Sequence, residues 1–239
     1  MKVEIWSDVV CPWCYIGKRR FEAALARFAH RDAVEVVWRS FELDPAATSA
    51  LFPGDGATYV ERLAAKYGMS SEQARQAVES TTATAAGVGL DFHMDRALAA
   101  NTFDSHRVLH LAAARGVQAQ VKERLMHAHF VEGAAVGDWA TLVGLASEAG
   151  LEGAEVERVL QSGEYADAVR ADEAEAASLG IGGVPFFVLD RRYGVSGAQP
   201  AEHLLAALEQ AWAEREPVRV VNDGGGGTSE ACGPDGCPI

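Results

Sequence analysis

Cys11 and Cys14 enclose Pro12 and Trp13, and Cys232 and Cys237 enclose Gly233-Pro234-Asp235-Gly236. These are the only four cysteines in 239 residues, so each pair has to be explained as a unit. A C-x-x-C is informative when it joins a strand to a helix. Unpaired amides and the helix dipole at such a start favour a thiolate on the first sulfur. Pro12 suits the first helical turn, where no N–H is needed. The position predicts an exposed Cys11 with thiolate character and a more buried Cys14. Lowering a thiol pKa by three units changes its attack rate little, because nucleophilicity falls as ionisation rises. The gain is a better leaving group and a reduced state stabilised by about 4 kcal/mol. The competing chemistry is a zinc site, which needs four ligands and would draw on both pairs.

The flanking elements support that placement. Val3 to Asp8 reads as a strand. A helix follows the cysteine turn, with Phe21, Leu25 and Phe28 on one face and Lys18, Arg19 and Arg20 solvated between them. Val34 to Arg39 reads as a second strand, and a helix between two strands predicts a right-handed parallel crossover. From about Asp44 to Ala177 the pattern is almost wholly helical. Ser70 or Ser71 can cap one helix, with Glu72 in its first turn; Asn101 or Thr102 can start another, and Asp138 can cap a third. Gly163 marks a break. Strand character returns at Phe186 to Asp190, with Tyr193 to Ser196 pairing back. Pro200 opens a last helix to about Glu214, with Leu204, Leu205, Leu208 and Trp212 on one side. The expected architecture is a βαβ half and a ββα half separated by a helical block.

Gly182-Gly183-Val184-Pro185 precedes the returning strand. A proline there is either simply tolerated at a strand start or held cis. The glycines allow close chain approach.

About half of the residues are hydrophobic, at 49%, enough for one good core or for one domain with a large insertion. The formal charge of −13 gives no basic face for a nucleic-acid partner. No apolar run is long enough to span a bilayer, so no membrane partner is expected. The first residues lack a signal-peptide pattern, which leads us to expect a cytoplasmic protein. A reducing compartment favours catalytic or metal-binding cysteines over structural disulfides.

Asp8-Val9-Val10-Cys11-Pro12-Trp13-Cys14, Val184-Pro185-Phe186 and Val195-Ser196-Gly197-Ala198-Gln199 together resemble the DsbA family of thiol–disulfide oxidoreductases, specifically its FrnE-like branch. The resemblance implies an α/β, thioredoxin-like fold with a large all-helical insertion between its βαβ and ββα halves. Residues 1–43 would be the N-terminal half, 44–177 the insertion, 178–216 the C-terminal half and 217–239 a flexible tail. It implies a redox-active enzyme, a protein disulfide oxidoreductase or isomerase. Cys11 would be the attacking thiol, Cys14 the resolving thiol and Pro185 the cis-proline. The Val184 backbone would then be free to pair with an extended substrate. The partners it implies are disulfide- or dithiol-containing proteins or small thiols. It implies no cofactor and no metal, with a thiol such as glutathione as the only co-substrate in view. Glutathione-dependent 2-hydroxychromene-2-carboxylate isomerases share the helical insertion but carry serine where this chain has Cys11, which favours redox chemistry over isomerisation. A zinc-binding or interaction module is the third reading.

Asp8 either tunes the thiols or is an ordinary strand-end carboxylate. His106 and His110 stand i, i+4, a spacing that can bind a metal, but no H-E-x-x-H accompanies them. The tail pair can close into a turn. The residues from Asn222 to Ala231 would span roughly 16–19 Å if flexible, enough for Cys232 and Cys237 to exchange disulfides with the first pair.

Overall fold

A computed structural model describes residues 1–50 and 56–215. The readings placed on Cys232, Cys237 and the 217–239 tail lie outside the described residues. Among those residues, no helix is long and apolar enough to cross a membrane.

Two halves of the chain build one sheet. β1 (Lys2–Ser7) and β2 (Glu35–Ser40) run parallel and are connected through α1 (Pro12–Arg27). β3 (Phe186–Leu189) pairs antiparallel with β1, and β4 (Tyr193–Ser196) with β3, giving the order β2-β1-β3-β4. Side-chain alternation along β1 separates two faces. Val3 and Ile5 pack with Phe21 of α1, with Phe28 at its C-cap, with Phe187, and with Leu204 and Leu208 of α9 (Ala201–Ala213). Burying each of these side chains is worth roughly 1.5–3 kcal/mol. On the other face Trp6 packs with Ala176, Ile181 and Val188. Glu4 is buried on that face too. It accepts hydrogen bonds from Arg39 and Arg191, with Lys2 at 3.4 Å. Burial alone would raise its pKa, but the bonds from Arg191 and Arg39 outweigh that and hold it at about 2.

Between the halves lie α2 (Tyr59–Tyr67), α3 (Ser71–Ala86), α4 (Phe103–Ala114), α5 (Gln118–His127), α6 (Trp139–Glu148), α7 (Gly153–Gln161) and α8 (Ala166–Ser178). Thr58 and Ser70 cap α2 and α3 in reciprocal capping boxes with Glu61 and Gln73. Asp138 accepts the Thr141 N–H at 2.9 Å at the start of α6. A π-helical turn, Ala128–Glu132, extends α5.

The helical pattern does not hold throughout this block. Residues 87–102 are irregular, and Gly89 takes a φ of 78° that a helix cannot use. Their backbone bonds elsewhere, as in His93 N–H to Phe130 O at 2.7 Å. Leu90, Phe92 and Met94 are buried by tertiary packing rather than along a helical stripe.

α8 covers the Trp6 face of the sheet through Asp172. The Asp172 carboxylate accepts Ser40 N–H at 2.8 Å and Arg39 at 2.9 Å, and lies 3.2 Å from His110 Nε2. The Asp172 carbonyl accepts Trp6 Nε1–H at 2.9 Å.

Candidate active site

β1 ends at Ser7, and a short turn carries the chain to Cys11, which is the N-cap of α1. Pro12 opens the helix, and the Cys11 carbonyl accepts Cys14 N–H at 3.0 Å and Tyr15 N–H at 3.3 Å. Both cysteines are free thiols. The Cys14 sulfur is fully buried, with Cys11 as its neighbour. Burial, and then that neighbouring sulfur, push the Cys14 pKa well above the ordinary thiol range.

Cys11 is only 4% exposed, which corrects the expectation of an open thiol. Its position at a helix start is as read, but the two sulfurs sit in an apolar seam. Ala85 of α3, Leu90, Phe92 and Met94 of the irregular segment, and Met126 and Phe130 close over them. The motif residue in contact with water is Trp13, 41% exposed. Cys11 does form part of the wall of a cavity of about 800 Å³, together with Tyr59, Met94, Leu98, His129 and Val184. That volume is typical of small-molecule sites.

The loop before β3 faces the pair. The Val184–Pro185 peptide is cis, and Cys11 Sγ lies 3.7 Å from the Val184 carbonyl oxygen. Gly17 makes this approach possible. A Cβ there would stand 2.8 Å from Pro185 Cγ and 3.5 Å from the Ala198 Cβ, closer to the ring than packing allows.

The family model described as the DSBA-like thioredoxin domain matches residues 2–209. The chain belongs to that family. As a DSBA-like protein it is similar over 100% of its length to a probable DsbA oxidoreductase from Streptomyces coelicolor. The two share 51% identity and a TM-score of 0.87, with 99% of that chain covered. The protein YwbO of Bacillus subtilis (strain 168), itself uncharacterised, is 30% identical over 193 residues, covering 78% of this chain and 86% of YwbO. The cytosolic disulfide reductase DsbM of Pseudomonas aeruginosa, solved with GSH, shares the fold at TM-score 0.60. Its identity is 22%, with 89% of this chain and 100% of that one covered. The fold is thus thioredoxin-like, of the DSBA type, with mixed α/β structure around one four-stranded sheet.

In this DSBA-like site Asp8 is buried and fully engaged. Its carboxylate lies 3.3 Å from His106 Nε2, accepts Leu43 N–H at 2.9 Å and is bonded by Thr102. Burial would raise its pKa, but the bond and charge of His106, the Leu43 amide and Thr102 together lower it. It is therefore a carboxylate that ties the active-site turn to α4 and to the loop that follows β2. His106 and His110 take different partners, Asp8 and Asp172, and do not converge.

Three further groups near the pair had no motif to announce them. Tyr59 faces the cavity; burial, then the neighbouring Cys11, push its pKa up. His129, on the π-helical turn, is buried with Nδ1 unpartnered, and burial lowers its pKa to about 4, so it is neutral near pH 7. Lys122 is buried behind the active-site turn. In sequence Lys122 falls beside Val121 and four residues before Met126, on the apolar side of α5. That position was the available signal.

Proposed function

We propose that this protein is a thiol–disulfide oxidoreductase in which Cys11 captures a disulfide and Cys14 resolves it. The observation that carries the reading is the pair of free thiols at the start of α1, with Cys11 facing the Val184 carbonyl and lining a cavity. The Cys11 thiolate attacks a disulfide R–S–S–R′, forming Cys11–S–S–R and releasing R′S⁻, which takes a proton from water. Cys14 then attacks the Cys11 sulfur, the Cys11–S–R bond breaks and RS⁻ leaves. The substrate has been reduced to two thiols and the pair oxidised; run in reverse, the same steps oxidise a dithiol.

The burial of Cys11 selects what can reach it. A slender substrate is required, either an extended peptide segment lying along Val184 and Pro185 or a small thiol or disulfide held in the cavity. Asp8 acts by holding the turn that presents the sulfurs. Cys232 and Cys237 serve as an auxiliary pair that exchanges with the first, and the site of action is cytosolic, as the name of the DsbM relative states for that protein.

The test is disulfide reduction on insulin and on a small aryl disulfide. Cys11→Ser should abolish turnover, and Cys14→Ala should accumulate mixed disulfides whose trapped partners identify the substrate. Full activity of Cys11→Ser would sink the reading. A glutathione requirement with no net dithiol oxidation would replace it with an isomerase. Cys232→Ser/Cys237→Ser with unchanged turnover and redox potential would remove the auxiliary pair.

A further inference from the structure

Cys11 shares the wall of its cavity of about 800 Å³ with a side chain that the thiol chemistry does not use, His129. His129 is 1% exposed, and its Nδ1 is sealed from water with no hydrogen-bond partner. Among the described residues no side chain or backbone group bonds its Nε2 either. The buried His106 differs, with Asp8 Oδ1 at 3.3 Å from its Nε2. Burial keeps the His129 ring neutral near pH 7, with one N–H and one lone pair. A proton on the sealed Nδ1 could reach neither protein nor water, at the full cost of an unmade bond. The proton therefore belongs on Nε2, and its acceptor has to come from the cavity. A ligand that displaces water there must bring an acceptor of its own.

The rest of the wall defines the remainder of that ligand. Tyr59, Leu63, Val78, Met94 and Leu98 make it largely apolar. Among the described residues its charged side chains are two acids, Asp8 and Asp44, and two bases, Arg62 and Lys66, and all four are engaged. Asp8 is bonded by His106 and the Leu43 N–H. Arg62 donates to the Ala97 carbonyl at 2.7 Å. Lys66 donates to the Leu43 carbonyl at 3.2 Å and lies 3.9 Å from Asp44. The signs balance, so no surplus charge is available to neutralise an ionic ligand. The volume fits a small organic molecule.

We propose that this cavity is the substrate site, and that its substrate is a small, uncharged, mainly apolar disulfide whose oxygen acceptor is bound by the Nε2–H of His129. The inference rests on the thiol–disulfide reading and chooses the small molecule over the extended peptide. The Cys11 thiolate attacks one sulfur of the held R–S–S–R′, Cys11–S–S–R forms, and R′S⁻ leaves and is protonated by water. Cys14 then loses its proton to water, its sulfur bonds to that of Cys11, and RS⁻ leaves. The substrate's disulfide is the oxidant and becomes two thiols. His129 moves no proton in either step; it binds the substrate and so sets which disulfide is accepted.

Two diaryl disulfides of similar shape test this, one with a para acetyl group on each ring and one with para isopropyl. Thiolate release by the fully reduced, full-length protein is followed over a range of disulfide concentrations. Comparing one disulfide across variants cancels its intrinsic reactivity. His129→Leu should lower the acetyl-to-isopropyl ratio of capture efficiencies about tenfold. His129→Gln, which keeps an N–H donor, should restore most of it. The loss should lie in the half-saturating concentration rather than in the limiting rate. A ratio that His129→Leu leaves unchanged, including one in which both disulfides slow alike, overturns the assignment and returns the extended peptide. A second measurement needs no variant. An unreactive dithioether analogue of the acetyl compound should shift the ring-nitrogen NMR signals of His129 in the wild-type protein, and no shift up to its solubility limit also overturns it. A wild-type protein that shows this shift yet releases thiolate from neither disulfide fails the thiol–disulfide reading instead, so the two failures are distinguishable.

Discussion

Two buried charges flank β1, and they are treated in opposite ways. Glu4, mid-strand, is surrounded by Arg39, Arg191 and Lys2 and is held ionised. Lys122, at the strand's end beside the cysteine turn, has a carbonyl, an aromatic face and no carboxylate among the described residues. The first charge is finished in the resting fold and joins β1, β2 and the β3–β4 turn. The second is left without a carboxylate partner among the described residues, behind the active-site turn. Completeness of pairing thus separates a charge that ties strands together from one that the fold buries at a cost.

The sharpest way to break this comparison is to remove both charges. Glu4→Leu should cost about 3 kcal/mol in denaturant unfolding, at the lower end for a broken buried pair because Arg191, 45% exposed, can turn to water. Lys122→Met should instead stabilise the protein near pH 7, by roughly 2 kcal/mol. The lysine's folded pKa of about 8 lies below its ordinary 10.5, so between those values the unfolded chain holds the extra proton. Wild type therefore gains stability as pH rises through that window, and the advantage of Lys122→Met should close by about pH 10.5. An advantage constant across pH would mean that packing, not charge, sets the difference.

The acid side has the reverse sign. The Glu4 pKa is depressed to about 2 from 4.5. Its contribution is full above 4.5 and is lost as pH falls toward 2. Melting temperatures for wild type and Glu4→Leu should converge across that range. The smallest effect is expected for Gly17→Ala, which crowds the Pro185 ring and should cost on the order of 1 kcal/mol. It should slow capture by Cys11 in a first-turnover assay, since the Pro185 loop that faces the sulfur must shift.

The elements around the cysteines were legible because their signals are local. Alternation marks β1, Pro12 marks the start of α1, and the spacing of Leu204 and Leu208 marks one face of α9. Asp138 and Ser70 announced their helices in the same way. What the chain withholds is what distant segments do to those elements. Cys11 reads as exposed because nothing near it indicates that Phe92, Met94 and Phe130 will cover it. The 87–102 segment reads as helix because its composition resembles its neighbours, whereas its backbone is satisfied by partners such as Phe130, far along the chain. Lys122 falls on the apolar side of α5 in sequence, but the Ser7 carbonyl it meets is set only when α5 is placed against the end of β1. Asp8 was visible as a candidate, but its bond to His106 joins residues 98 positions apart.

Asp172 also sets where the molecule is most firmly fastened. By gripping Ser40, Arg39, His110 and Trp6 at once, it fastens α8, α4 and the sheet into a single rigid unit. The hairpin of α2 and α3 is held from its surface, where Arg62 donates to the Ala97 carbonyl at 2.7 Å and Lys66 to the Leu43 carbonyl at 3.2 Å. α2 has no fully buried residue, and α3 has only Ala74, Thr81 and Ala85. With so few buried residues, that hairpin is the part of the cavity wall least anchored by the core.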